Sequence, residues 1–337
     1  MRGGLARRAR SAGSARIAPS TIDCRMCLNA TRARGRATYG IPLRSETMVV
    51  GSGAFLYERD TSWGRRDGGV PAFGVAQGVA CDSKDRVYVF NRSPRAEMIV
   101  FDASGRLLTT WGLGQFFHPH GVWINERDEI LITDRDHHVV SRWTTDGTLL
   151  RTIGTPGRAG APGAPFNQPT KAIETSDGEI YVSDGYGQRR THRFDKGGGL
   201  IRSWGEEGTG PSQFALPHDV VVDQRNRVLV CDRENARVQI FDRSGDFTGE
   251  WAGLKNPMQI FVPTRGQGGR SDVLYMCESL NRVSILSLDG AILASFDYAS
   301  VAPRKANAPH SIWVDSHGAI YIGEVTGEDG LQKFVRQ

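Results

Sequence analysis

The chain has 337 residues, 39% of them hydrophobic, and a formal net charge of +5. That is long enough for two ordinary domains or for one large repeat-built domain with a sizeable core. No run of about 18 apolar residues occurs, and no apolar segment of about 7–15 residues follows a basic start, so neither membrane spanning nor secretion is indicated and a cytoplasmic location is expected.

The charge is unevenly placed. Residues 1–47 hold ten arginines and no lysine against Asp23 and Glu46, so this leader carries +8 and the remainder −3. A mildly acidic folded part offers no basic stripe for phosphates, which argues against a nucleic-acid partner. The leader is rich in Arg, Ser and Ala, as an organelle transit peptide is. Its lack of an amphipathic apolar face favours an upstream extension with Met48 as the working start. On either reading it is expected to be disordered. Cys24 and Cys27 form a lone C-x-x-C there, weak evidence for a metal. Cys81, Cys231 and Cys277 lie in strand-like runs and read as small buried hydrophobes.

From residue 54 onward short β-type runs recur: RVYVF, EILIT, EIYVS, RVLVC and AIYIG, punctuated by Asp, Asn and Gly. No long 3.6-residue periodicity accompanies them. Self-similar units cover 78–112, 119–154, 169–205, 217–251, 257–296 and 309–337, each reading strand, turn, strand, Asp-containing turn, strand, D-x-x-G turn and a last strand ending near Trp-Gly. A four-stranded sheet of this size cannot bury both faces alone, and radial stacking solves that problem. The expected fold is an all-β, six-bladed β-propeller with four antiparallel strands per blade. Because the sixth unit stops after KFVR, the segment AFLYERDTSWG (54–64) is expected to supply its missing strand and close the ring.

Within the repeats one column stands out. Pro-His occurs three times, at Pro119-His120, Pro217-His218 and Pro309-His310, in a chain with eight histidines. The aligned position in units one to six holds Gln77, His120, Thr170, His218, Met258 and His310. A lone strand histidine is more often structural than a ligand. Histidine in every second blade is different, because alternate blades stand about 120° apart around the axis and would bring three imidazoles together at the hub. Three facial imidazoles with an open fourth position form a zinc site able to bind water or substrate. The remaining histidines, 118, 137, 138, 192 and 317, lack this register and are expected in solvated loops or strands.

Fourteen residues on, a second column holds Asn91, Asp134, Asp184, Asp232 and Glu324, with Glu278 displaced by a longer loop. These side chains are expected to hold the turn between the first and second strands by accepting its backbone N–H groups. The residues just after them, Arg92, Arg135, Gly185-Tyr186, Arg233 and Ser279, differ between blades, which points to function.

SDGYGQRR (183–190), PHDVVV (217–222), CDREN (231–235) and VFNR (89–92), together with the three Pro-His steps, resemble the peptidyl-α-hydroxyglycine α-amidating lyases, an NHL-repeat propeller family; the likeness covers residues 54–337. It implies zinc on His120, His218 and His310, Tyr186 as the base, and Arg92 and Arg233 on the substrate, a small molecule or peptide C-terminus cleaved to an amide and glyoxylate. Gly187 and Ile240 stand where animal members carry cysteines, so both family disulfides are absent. Ala308 and Ser311 replace a Met and a calcium-binding Asp, which puts Ca2+ in doubt. No copper monooxygenase domain accompanies the propeller in this sequence, so any hydroxyglycine peptide is expected to come from elsewhere. Two alternatives stay open: a metal-dependent lactonase-like hydrolase, against which the three-His column argues because such sites lean on Glu, Asn and Asp, and a non-catalytic NHL scaffold for a protein or RNA partner.

Overall fold

A computed structural model describes residues 48–65, 74–263, 270–301, 308–326 and 330–337. The basic leader and its C-x-x-C lie outside the described residues. Within them the chain is a six-bladed β-propeller. Its inner strands are Val75–Cys81, Pro119–Ile124, Lys171–Glu174, Pro217–Val222, Pro257–Phe261 and Pro309–Val314, and each begins an antiparallel sheet that runs outward in sequence order. Consecutive inner strands touch, and the last touches the first, so the ring is closed. Among the described residues the only helices are two three-residue 3-10 turns, Arg233–Asn235 and Tyr298–Ser300, and no helix is long and apolar enough to cross a membrane.

Closure follows the truncated last repeat. Phe55–Asp60 pairs antiparallel with Leu331–Arg336, Glu58 opposite Val335, and becomes the fourth strand of blade six. Val49–Ser52 adds a fifth strand outside it, an extension that the repeat pattern does not contain. Joining the segment before the first blade to the last described strand in one sheet leaves no open seam in the ring.

Burial is graded along each blade. Inner and second strands are buried over most of their length, as in Pro217–Val222 and Val228–Asp232, whereas outer strands such as Leu107–Trp111 lie mostly in solvent. The apolar residues of neighbouring sheets interleave, which removes from water the surface that one four-stranded sheet cannot cover. The D-x-x-G turns take part in that contact. Gly147 has φ +91, and a Cβ on it would stand 2.8 Å from the ring of Trp111 in the preceding blade. Gly245 faces Trp204 in the same way at 3.0 Å. The Trp that ends one blade therefore lies on the turn glycine of the next, where any side chain would collide. Cys81, Cys231 and Cys277 are buried free thiols, held in the protonated form chiefly by burial.

Candidate metal centre

The Pro-His step gives the site its geometry through a β-bulge. Pro119 pairs with Asp134 and Gly121 with Thr133, which leaves His120 as an extra residue without a partner across the ladder. The same slip falls between Pro217 and Asp219 and between Pro309 and Ser311. A bulge re-aims the side chain of its unpaired residue, and the preceding proline lacks an N–H to lose. Each imidazole is thereby turned toward the axis.

The three rings meet. Their centroids are 4.9 Å apart for His120 and His218 and 4.8 Å for the other two pairs, and one ring nitrogen of each lies within 4.8 Å of the others. All three are at most 5% exposed. Each Nδ1–H donates to a backbone carbonyl of the following blade: His120 to Thr170 at 2.7 Å, His218 to Met258 at 2.8 Å, and His310 to Gln77 at 2.7 Å. A carbonyl only accepts, so the proton sits on Nδ1 and the lone pair on Nε2. Those carbonyls belong to the column residues of the blades without histidine.

The electrostatics favour neutral imidazoles. Burial, followed by the charge of the other two rings, holds His120 well below the ordinary histidine range. Burial, then His310 and Arg233, likewise holds His218 low, and burial pushes His310 down to about 3. The Nε2 of His218 has no partner among the described residues, while that of His310 accepts from the Gln77 amide at 2.8 Å and that of His120 lies 3.3 Å from the Tyr186 hydroxyl. Neutral imidazoles with oriented lone pairs and a buried nitrogen lacking any partner fit a divalent N-ligated ion such as zinc. No ligand set for calcium occurs among these residues, since oxygen donors are what calcium takes.

Around this centre the second-column loops bring charge. The Tyr186 ring stands 5.0 Å from the Arg135 guanidinium carbon and 5.9 Å from that of Arg233. Arg92 lies near Arg135 and Tyr186, and burial with the like charge of Arg135 lowers its pKa. His120, His218, His310, Tyr186, Arg92 and Arg233 thus gather at one mouth of the channel. The sequence singles out Arg135 as a position that differs between blades; it gives no sign that Asp136 and His118 belong here. His118 is half-buried, not solvated: Nδ1 lies 3.1 Å from Asp136 Oδ2 and Nε2 is 3.4 Å from Arg92. Burial, then Arg135, lowers its pKa. His192 is likewise fully buried against Asp184 at 3.2 Å, and its strand position on an inward face is the reason.

The second column also acts differently from expectation. Asp134 accepts from the backbone of Phe117 and His118, and Asp232 from Ala215 and Leu216, so the carboxylates clamp the segment that enters the inner strand. In an antiparallel hairpin the end of the second strand faces the beginning of the first, whereas the tip turn lies a whole strand away. That tip is held instead by residues such as Asn125 and Asp223, which accept the backbone N–H groups at 127 and 129 and at 225 and 227.

The family model described as NHL repeat matches residues 214–241. NHL repeat-containing protein 3 of Mus musculus is 30% identical over 281 residues, which cover 76% of this chain and 78% of the mouse protein. The chain belongs to the NHL repeat family. This NHL-repeat protein is also 28% identical over 287 residues to peptidyl-alpha-hydroxyglycine alpha-amidating lyase 1 of Drosophila melanogaster, covering 76% of this chain and 52% of that one. Among solved structures, XC5397, a gluconolactonase from Xanthomonas campestris, superposes with a TM-score of 0.60 at 14% identity, over 86% of this chain and 95% of the other. At that identity the likeness speaks to the propeller fold alone.

Proposed function

We propose that this NHL-repeat protein is a zinc-dependent lyase that cleaves α-hydroxyglycine-type carbinolamides to a carboxamide and glyoxylate. The observation that carries the reading is the convergence of three buried, neutral imidazoles with Nδ1 tied to backbone and Nε2 facing the hub, beside a tyrosine flanked by guanidiniums. His120, His218 and His310 would hold the ion, which when bound supplies Lewis acidity that lowers the pKa of a nearby hydroxyl.

The protein groups supply the rest. Arg92 and Arg233 receive the substrate carboxylate, for which a permanently charged fork is the best match. Tyr186 takes the proton of the carbinol hydroxyl. As the oxygen forms the aldehyde C=O, the carbon–nitrogen pair leaves with the amide nitrogen, which gains a proton; no oxidant or water is consumed. The likeness to the amidating lyases supports this substrate class, and a peptide C-terminus or a smaller N-acylated analogue meets the same chemistry.

The test is glyoxylate release from N-benzoyl-α-hydroxyglycine by purified protein between about pH 5 and 9, with metal content measured beside it and in His218→Ala. Turnover with about one zinc per chain, both lost in the variant, is expected. Zinc without glyoxylate release would reject the lyase. Absence of both would leave an NHL scaffold.

A further inference from the structure

The far end of the same channel carries a second cavity of about 580 Å³. It opens where the inner strands run out into the turns at Asn125, Glu174 and Asp223, a full strand away from the histidines. Below a polar rim it has an apolar band: Trp123, Phe261 and Trp313 sit three residues after His120, Met258 and His310, with Ile173 and Val221 at the same level. A volume in the range of a small-ligand site, with three aromatic side chains at one level, is more than packing slack.

The floor of this cavity is Lys171. The residue is 4% exposed, and among the described residues its ammonium makes one hydrogen bond, to the Val122 carbonyl at 2.8 Å. An ammonium carries three donors, so two remain. Asp219, the nearby carboxylate, lines the other side with the histidines, where its Oδ2 accepts from Ile260 N at 2.8 Å and Oδ1 has no partner. The space between Lys171 and the imidazoles is only about 10 Å³, so the two mouths do not communicate. The rim cations are already engaged, Arg127 with Glu174 at 2.9 Å and Arg243 with Asp177 at 3.0 Å, and the rim carboxylate Asp223 holds Arg227 at 2.6 Å. Burial lowers the ammonium's pKa to about 8, which leaves it charged at neutral pH.

We infer that this cavity is a second ligand site, distinct from the histidine centre, and that its ligand is a small monocarboxylate with a flat apolar body. The body fills the aromatic well while the carboxylate takes the two spare donors of Lys171, the one cation at the cavity floor. A single buried cation selects one negative charge and disfavours cations and dianions. The assignment does not depend on the lyase reading.

Isothermal titration of the full chain with 2-naphthoate, 2-naphthamide and 2-naphthylmethylamine tests it. The carboxylate is expected to bind at least about tenfold more tightly than the neutral amide, with no detectable binding of the amine. Lys171→Met should erase the carboxylate's advantage and leave the amide's affinity in place, and Trp123→Ala should weaken both; zinc content stays that of the parent in each. Equal binding of the carboxylate and the amide, or no binding of naphthoate, overturns the proposal. So does unchanged naphthoate affinity in Trp123→Ala, which would place the anion at the arginine mouth. Should Lys171→Met fail to fold, the carboxylate-to-amide ratio in the parent and the Trp123→Ala result decide.

Discussion

Blades two, four and six and blades one, three and five share a fold and an aligned inner-strand column, yet they contribute different things to the centre. The even blades present imidazoles; the odd blades present backbone carbonyls, at Gln77, Thr170 and Met258, that orient those imidazoles. A side chain is needed for the first task and none for the second. The odd positions can therefore hold amide, hydroxyl or thioether, while the even ones all hold histidine. Threefold chemistry arises from a sixfold scaffold because each odd blade serves as the outer partner of the even blade before it.

The sharpest way to break this comparison is to exchange the two roles. His310→Ala should abolish zinc retention, whereas Met258→Leu, which leaves the carbonyl in place, should keep about one zinc per chain by elemental analysis. Equal loss in both would mean that the odd blades act through side chains. Next in size, Tyr186→Phe should retain zinc and lower glyoxylate release by about 10²–10⁴-fold, since it removes the proton acceptor and no ligand. A smaller effect is expected at Gln77, whose side chain, alone among the odd-blade residues of the first column, reaches a ligand nitrogen. Its amide competes for the His310 lone pair at 2.8 Å, so Gln77→Leu should raise zinc affinity by about two- to tenfold in a chelator competition.

The smallest effect lies at Lys171, next to Thr170 in blade three. Its folded pKa of about 8 lies below the ordinary value of 10.5. As pH rises from about 8 toward 10.5 the native state gives up this proton while the unfolded chain still holds it, so this group contributes rising stability across that window and nothing below it. Denaturant melts of the parent and Lys171→Met should differ in slope there, the variant being the flatter. Parallel curves would mean that the ammonium is better solvated than its burial implies.

Much of this was legible in the sequence, for physical reasons that also mark where legibility ended. The six repeats expose the propeller because each blade must repeat the same strand and turn chemistry to bury its faces. His120, His218 and His310 were visible because alternation in a closed ring has one geometric meaning. The carbonyls behind them were invisible, since backbone partners leave no trace in residue identity. The positions of Tyr186, Arg92 and Arg233 stood out just after the second column, and their roles came through the resemblance. Asp136 and His118 escaped because they lie outside both columns, in the loops that flank the first two strands of blade two, and the role of the second column was misassigned because alignment gives the position of a residue but not which end of a hairpin it faces. The cavity over Lys171 had no sequence signal: its aromatic wall is one residue from each of several blades.

X-ray absorption at the zinc edge tests the central claim most directly. The account predicts three imidazole nitrogens and one oxygen at about 2.0–2.1 Å, with one imidazole missing in His218→Ala if any zinc remains. Sulfur in the inner shell, or fewer than three imidazoles in the parent, would contradict it.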